Sequence, residues 1–316
     1  MTNRKKNATI FEKVTTIYGI PISKEHQTDE MRTLLKRVLK EQETSHDMIA
    51  FLQKRNRELE IEKETNLLTS LPNQVALTKR LSAVINERNS QYNEINNLKK
   101  LLNTEDDLIE KSYLQTEIED RTSVVEPYTV VFCDLNHFGQ YNDRFGDLAV
   151  DGLIQKIALL LGQGIRQASE RGMDFIARSK TEGDEFVILM PGALAGKAMD
   201  RMEVVGNSIA SKKFFIETPE KKYFLVSNIT IAFGCYQLDA KVKETGIYDK
   251  DYFEVLHNAR KLMKGKKEAM KLTGETILNI REITNDAELH NLQGDTEIIK
   301  VYPVDIGKMK FGVVLQ

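Results

Sequence analysis

The sequence predicts an α/β (α+β) fold in which a central antiparallel sheet is flanked by helices and preceded by a long N-terminal helix. Three observations carry that prediction. Residues 30–64 contain neither proline nor glycine and are dominated by helix formers. The run Tyr128-Thr-Val-Val-Phe-Cys133 reads as a buried strand and is followed at once by Asp134. The stretch from Arg178 to Met190 sets Asp184 and Glu185 after Gly183 and directly ahead of Phe186-Val-Ile-Leu-Met190, as expected where a tight turn enters a second buried strand.

Composition narrows the classes of function. With 316 residues, 41% of them hydrophobic, the chain can bury a full core and has room for one large or two smaller domains. A formal charge of -2 argues against a general nucleic-acid or membrane-surface role, so neither partner is expected. Cys133 and Cys235 lie inside apolar runs without metal-ligand spacing and read as reduced core thiols, which points to the cytoplasm. No apolar run approaches the roughly 18 residues of a membrane span, and residues 1–13 lack the apolar core of a signal peptide, so a soluble chain is expected.

Taken in order, Ile10 to Ile22 is a short apolar segment broken by Gly19 and Pro21. In the long helix, Met31, Val38, Ser45, Leu52 and Leu59 recur every seven residues, while the companion positions Leu34, Glu41, Met48, Arg55 and Glu62 lose their apolar character after Met48. That pattern fits either a parallel dimeric coiled coil or a helix packed on its own domain. A turn at Asn66 to Asn73 leads into a helix from Gln74 to about Arg88, with Thr69 as cap and Pro72 as opening residue. Residues 89–121 are polar and helical, with Leu98, Leu101, Leu102, Leu108, Ile109, Leu114 and Ile118 as an apolar stripe and Asn103-Thr-Glu105 as a bend, giving a hairpin or one extended helix.

After the first strand, a helix carries Val150, Ile154, Ile157 and Leu161 on one face and Asp151 near its start. An acid there suits the helix dipole without any further role. Phe175-Ile-Ala177 and Val187 to Met190 form a hairpin, Ala195 to Ala210 a helix, and Tyr223 to Tyr236 a long β-rich run read as a central strand with its lead-in. Asp251 to Leu272 is a basic helix whose lysines either face solvent or bind phosphate. The tail alternates strand-like pieces, Thr276 to Leu278, Glu297 to Val301 and Phe311 to Leu315, as a terminal hairpin or small sheet addition. Asp184 and Glu185 by themselves fit a charged surface hairpin; Asp134 at the rim of a buried strand gives them a second acidic element to work with.

At this point the residues resemble the GGDEF family, the diguanylate cyclases, whose fold is like the palm of nucleotidyl cyclases and polymerases. Glu182-Gly-Asp-Glu-Phe186 is the signature with its first glycine replaced by glutamate. Asp134-Leu-Asn-His-Phe138, Asn142-Asp143, Gly146 and Asp151 keep the family's order and spacing, Leu68-Thr-Ser-Leu-Pro-Asn73 looks like its start, and Ile229 to Gly234 resembles its late strand. The resemblance covers roughly residues 66–275, with residues 89–121 as an insertion, residues 1–65 as a helical region and residues 276–316 as a β-rich extension.

The resemblance implies joining of two GTP molecules into cyclic di-GMP, with one GTP on each of two facing copies, hence a homodimer. It implies Mg²⁺, with Mn²⁺ as the alternative ion, held by Asp134, the Leu135 carbonyl and Asp184. Glu185 is then the second catalytic carboxylate beside Asp184, Asn142 and Asp151 recognise guanine, Lys267 and Lys271 bind the phosphates, and Gly183 also contacts the substrate. Arg171 and Asp174 match the family's inhibitory site for the product. The chain departs from the pattern at Glu182, at Gly139 where a phosphate-contacting lysine is common, at Asn136 where a second aspartate is common, and at Asn66 in place of the usual opening aspartate. Seven residues, two more than usual, separate Asp174 from Glu182; an even lengthening keeps each strand residue on its face. Two functions are therefore carried forward, an active cyclase and a non-catalytic receptor or scaffold binding cyclic di-GMP or GTP.

Overall fold

A computed structural model describes residues 50–165 other than 55 and 60, together with 173–179, 183–238, 251–274 and 279–305. Residues 1–63 and 64–316 form two compact units. In the first, residues 50–54, 56–59 and 61–63 are helical and Leu52 and Leu59 are exposed; most of the long-helix prediction and the segment before it lie outside the described residues.

In the second unit, Thr65 bridges to Pro72 around the turn, and helix α1 follows at Gln74–Thr104. Its cap is Asn73, whose side chain accepts from the backbone of Val75 and Ala76, so neither Thr69 nor Pro72 has the predicted role. Thr69 instead donates to the Asn66 side chain through both its backbone N–H and its hydroxyl. The helix runs well beyond Arg88, because no glycine or proline interrupts the residues that follow. It ends at the expected bend, and Asp107 caps the returning helix α2, Leu108–Val124, to close a helical hairpin. Ile95, Leu114 and Ile118 bury its inner face, whereas Leu101, Leu108 and Ile109 of the predicted stripe are exposed.

The main sheet is built from β1 (Tyr128–Leu135), β2 (Phe175–Arg178), β3 (Glu185–Pro191) and β6 (Ile231–Gln237) in the order β2-β3-β1-β6, all antiparallel. Asp134 falls inside β1 and not after it. Alternation sends Val131 and Cys133 of β1, with Phe186, Ile188 and Met190 of β3, to one face. There they meet α3 (Phe138–Phe145), α4 (Asp147–Gly164) and α5 (Ala195–Ala210). Val130 and Phe132, with Val187 and Leu189, point the other way, against α1 and α6 (Tyr252–Thr273). With both faces covered, the strands need apolar residues at every position, which is why they read as continuous runs. The helix α3 was not anticipated. Cys133 and Cys235 are buried, and burial pushes both thiols up, so they are neutral packing groups.

The run predicted as one central strand is two. Tyr223–Ser227 is β5 of a second sheet, and Asn228, with φ of 61°, turns the chain into β6 at the edge of the first. The second sheet has the order β7-β5-β4-β8, where β4 is Lys213–Glu217, β7 is Asn279–Ile283 and β8 is Ile299–Val301. The described tail pieces therefore flank the β4–β5 hairpin instead of pairing with each other, and β8 runs parallel to β4. An unpredicted helix α7, Asp286–Gly294, lies between them. Residues 275–278 and 306–316 lie outside the described residues. No helix among the described residues is long and apolar enough to cross a membrane.

Candidate active site

The ladder between β1 and β3 makes Asp134 and Glu185 direct cross-strand partners. Asp134 shares parity with Val130 and Phe132, and Glu185 with Val187, so both carboxylates project toward the layer that contains α6. Asp184 stands one residue ahead of β3. Its carboxyl is pushed up to about 7, by burial first and then by the negative charge of Asp134, against the opposing charge of Lys267.

Such a concentration of acid requires cations, and α6 brings them. The helix approaches β6 closely because Gly234 has no side chain; a Cβ there would lie 2.2 Å from the Met263 nitrogen and 2.7 Å from the Ala259 carbonyl oxygen. Lys267 Nζ donates to Asp134 Oδ1 and, at 3.2 Å, to the Leu135 carbonyl. Two turns earlier on the same face, Arg260 Nη2 donates to Glu185 Oε1, and its guanidinium lies over the Phe132 ring.

A second arginine braces the signature turn from the opposite face. Arg178 is 2% exposed, and its Nη2 and Nε donate to the Gly183 carbonyl at 2.7 and 3.2 Å. Its Nη1 reaches Asn66 Oδ1 at 3.4 Å, and its backbone N–H donates to the Pro72 carbonyl. Burial lowers the Arg178 pKa, while the charges of Asp151 and Asp184 oppose that shift. Gly183 has φ of 115°, a conformation that side chains disfavour, which accounts for glycine at this point of the turn.

The other predicted site residues are distributed around this centre. Asn142 on α3 and Asp151 on α4 are both half-buried, on the elements that cover the sheet's other face. Lys271 is exposed. The Asp174 carboxylate is fully buried and accepts from Arg201 at 3.0 Å; Arg171 and Glu182 lie outside the described residues. Gly139 has open space around it. Asn136 is buried as a joint between strands, its backbone N–H on the Thr230 carbonyl and its Nδ2 on the Thr230 hydroxyl. Sequence reasoning missed Arg178 and Arg260 as site residues. The available signal was that two acids entering a buried strand need cationic partners, and that positions 260 and 267 share one helical face.

Among the described residues no three His, Cys, Asp or Glu side chains form a cage. Two carboxylates and a carbonyl that already accepts from a cation are, however, a donor set suited to Mg²⁺ completed by phosphate and water.

The chain is similar to one known family, to two known relatives and to a solved structure. The family described as "Diguanylate cyclase, GGDEF domain" matches residues 107–271. The diguanylate cyclase TpbB of Pseudomonas aeruginosa is 24% identical over 229 residues, 72% of this chain and 42% of that protein. In the same species the diguanylate cyclase DgcP is 28% identical over 150 residues, 48% of this chain and 16% of that protein. The chain thus spans less than half the length of the curated relatives it matches. Among solved structures, the coiled coil and GGDEF domain of DgcB from Caulobacter crescentus, in complex with c-di-GMP, is similar in fold with a TM-score of 0.50 at 16% identity, covering 73% of this chain and 95% of that one.

Proposed function

The chain belongs to the GGDEF-domain family of diguanylate cyclases, and on that premise we propose that it joins two GTP molecules into cyclic di-GMP with release of two pyrophosphates. The observation that carries the proposal is the pairing of Asp134 with Glu185 across β1 and β3, beside the turn that presents Asp184. Attack of a ribose 3′-oxygen on an α-phosphate brings a nucleophile toward oxygens that already carry negative charge. Asp134, the Leu135 carbonyl and Asp184 would hold Mg²⁺, or Mn²⁺ in its place, which when bound neutralises phosphate charge and favours the ionised hydroxyl. Glu185 is the carboxylate placed to accept the hydroxyl proton or to support the donor set, with Arg260 fixing its position.

Asn142 and Asp151 supply the donor and acceptor for the guanine edge, which selects GTP over ATP. Lys267 and Lys271, one helical turn apart on α6, hold the phosphates together with the Gly183 backbone. Each copy holds one GTP, so the bonds form across a homodimer and positioning of the two copies is the controlled step. The long helix expected over residues 30–64 would govern that positioning. Arg171 and Asp174 would form an inhibitory site for cyclic di-GMP, the Arg201 ion pair being the contact that the product has to share or displace. Residues 66–275 would then be the catalytic domain, with residues 89–121 of the α1–α2 hairpin as an insertion and residues 276–316 as an extension.

One observation favours the second reading, a receptor that binds nucleotide without turnover. Gly139 offers no side chain where the family commonly has a phosphate-contacting lysine, and among the described residues nothing lies within 4 Å of where its Cβ would stand. The two readings separate when the purified chain is supplied with GTP and Mg²⁺ and cyclic di-GMP is measured. Product that disappears in Asp184→Ala supports the cyclase. GTP binding without product at high protein concentration rules it out in favour of the receptor.

A further inference from the structure

The C-terminal segment that follows α7 lies directly against the helix carrying Asp151. β8 is anchored on one side by parallel pairing of Ile299 and Val301 with Phe214 and Ile216, and Val301 is completely buried. On the other side the chain crosses the first two turns of α4. The Val304 N–H donates to the Leu148 carbonyl at 2.8 Å. The Tyr302 carbonyl packs so closely on Gly152 that an alanine Cβ there would lie 2.1 Å from its oxygen. Leu148 and Gly152 are one turn apart, and Asp151 sits between them in the chain. Asp151 in turn shares its field with Arg178, which holds the signature turn by the Gly183 carbonyl.

A helix start normally leaves its position to packing and caps. α4 begins after Gly146 with no side-chain cap. The strap adds contacts of another kind, a backbone donor on the Leu148 carbonyl and close packing on Gly152. We propose that residues 299–304 are a positioning strap, with Gly152 and Val304 as its positioning residues, and that it fixes the Asp151 carboxylate for recognition of the guanine base. This rests on the reading of Asp151 as a guanine contact. Neither Gly152 nor Val304 touches nucleotide in this scheme; both act through the helix backbone.

The test compares binding of the α,β-methylene analogues of GTP and inosine triphosphate, which cannot release pyrophosphate, measured by calorimetry on the full chain with Mg²⁺. Inosine lacks the exocyclic amine that a carboxylate would hold, so Asp151→Ala should reduce the guanosine preference by about tenfold, as expected for a hydrogen bond to a charged group. Val304→Pro, which removes the donor, and Gly152→Ala, which displaces Tyr302, should each reduce it by about fivefold, an intermediate loss of the same charge-assisted bond. A partly unfolded population lowers both affinities alike and leaves the ratio unchanged, so a merely structural role does not give this result. Strap variants that keep the wild-type ratio while Asp151→Ala loses it would overturn the strap alone; a ratio unchanged by Asp151→Ala would overturn the guanine reading and the strap with it. Should a strap variant not fold, the unsubstituted chain decides the matter: linkage requires the guanosine analogue to slow amide hydrogen exchange in residues 299–304 more than the inosine analogue does, and equal protection would refute the proposal.

Discussion

Arg260 on α6 holds Glu185, the first residue of β3, and in the same position covers the ring of Phe132 on the neighbouring strand. The Glu185 side chain is 7% exposed and that of Arg260 39%, so the carboxylate depends on a countercharge that solvent partly screens. Arg260→Met should destabilise the chain by about 1–2 kcal/mol, less than for a fully buried pair, as read from the urea midpoint. Arg260→Lys should recover part of the loss. Activity should fall further than stability in Arg260→Met if the pair positions Glu185 for reaction; equal kcat in a folded variant would leave the arginine a purely structural role.

Asp184 gives a pH prediction whose sign is fixed. A carboxyl raised to about 7 in the folded chain binds its proton more tightly there than when unfolded, where the value is near 3.8. Between those values the native state carries the extra proton, so stability of the metal-free chain falls as pH rises through the window and levels off above about 7. Asp184→Asn removes the ionisation and should raise the melting temperature at pH 8 by the equivalent of about 1–2 kcal/mol, with a smaller change at pH 5. A melting difference that does not vary with pH would show that Asp184 titrates normally.

Gly183→Ala forces a side chain into a backbone conformation at φ of 115°, although among the described residues nothing lies within 4 Å of where its Cβ would stand. The expected cost is about 1–2 kcal/mol of strain. Because the Gly183 carbonyl is the acceptor for Arg178, the substitution should also abolish product formation, measured with GTP and Mg²⁺.

Gly234→Ala tests how α6 reaches the site. A methyl group at 2.2 Å from the Met263 nitrogen cannot be accommodated without moving the helix. Overpacking of this kind costs about 1–3 kcal/mol, and the shift should carry Lys267 and Arg260 away from their carboxylates together. Unfolding in urea measures the first effect and loss of activity the second. A variant as stable and as active as the parent would mean that the helix has room to spare.

The main sheet was legible because strands buried on both faces are continuous apolar runs, and β1 and β3 announce themselves that way. Ala195–Ala210 falls at its expected bounds, and the basic helix lies within one residue of its own at each end. The β5–β6 run was not, because Asn228 redirects the chain between sheets while its neighbours on both sides keep β-rich character. The division at Arg88 between the first helix and the helical residues 89–121 has no counterpart in α1, since neither glycine nor proline lies there to break it. At the site, the acids and their order were readable residue by residue. Their cationic partners were not, since a lysine and an arginine on a basic helix look alike in sequence until the strand register shows which carboxylates face them.

The Asn66–Arg178 bond has a kinetic consequence as well. It spans 112 residues, the Lys267–Asp134 contact 133, and the Arg260–Glu185 pair 75. Contacts of such separation form only after the intervening chain has closed, and non-local topology slows that closure. We predict that the site's ion pairs close after β1, β3 and β6 have paired, since α6, which carries Arg260 and Lys267, packs on that sheet. Substitutions at its ion pairs should speed unfolding while leaving the folding rate nearly untouched.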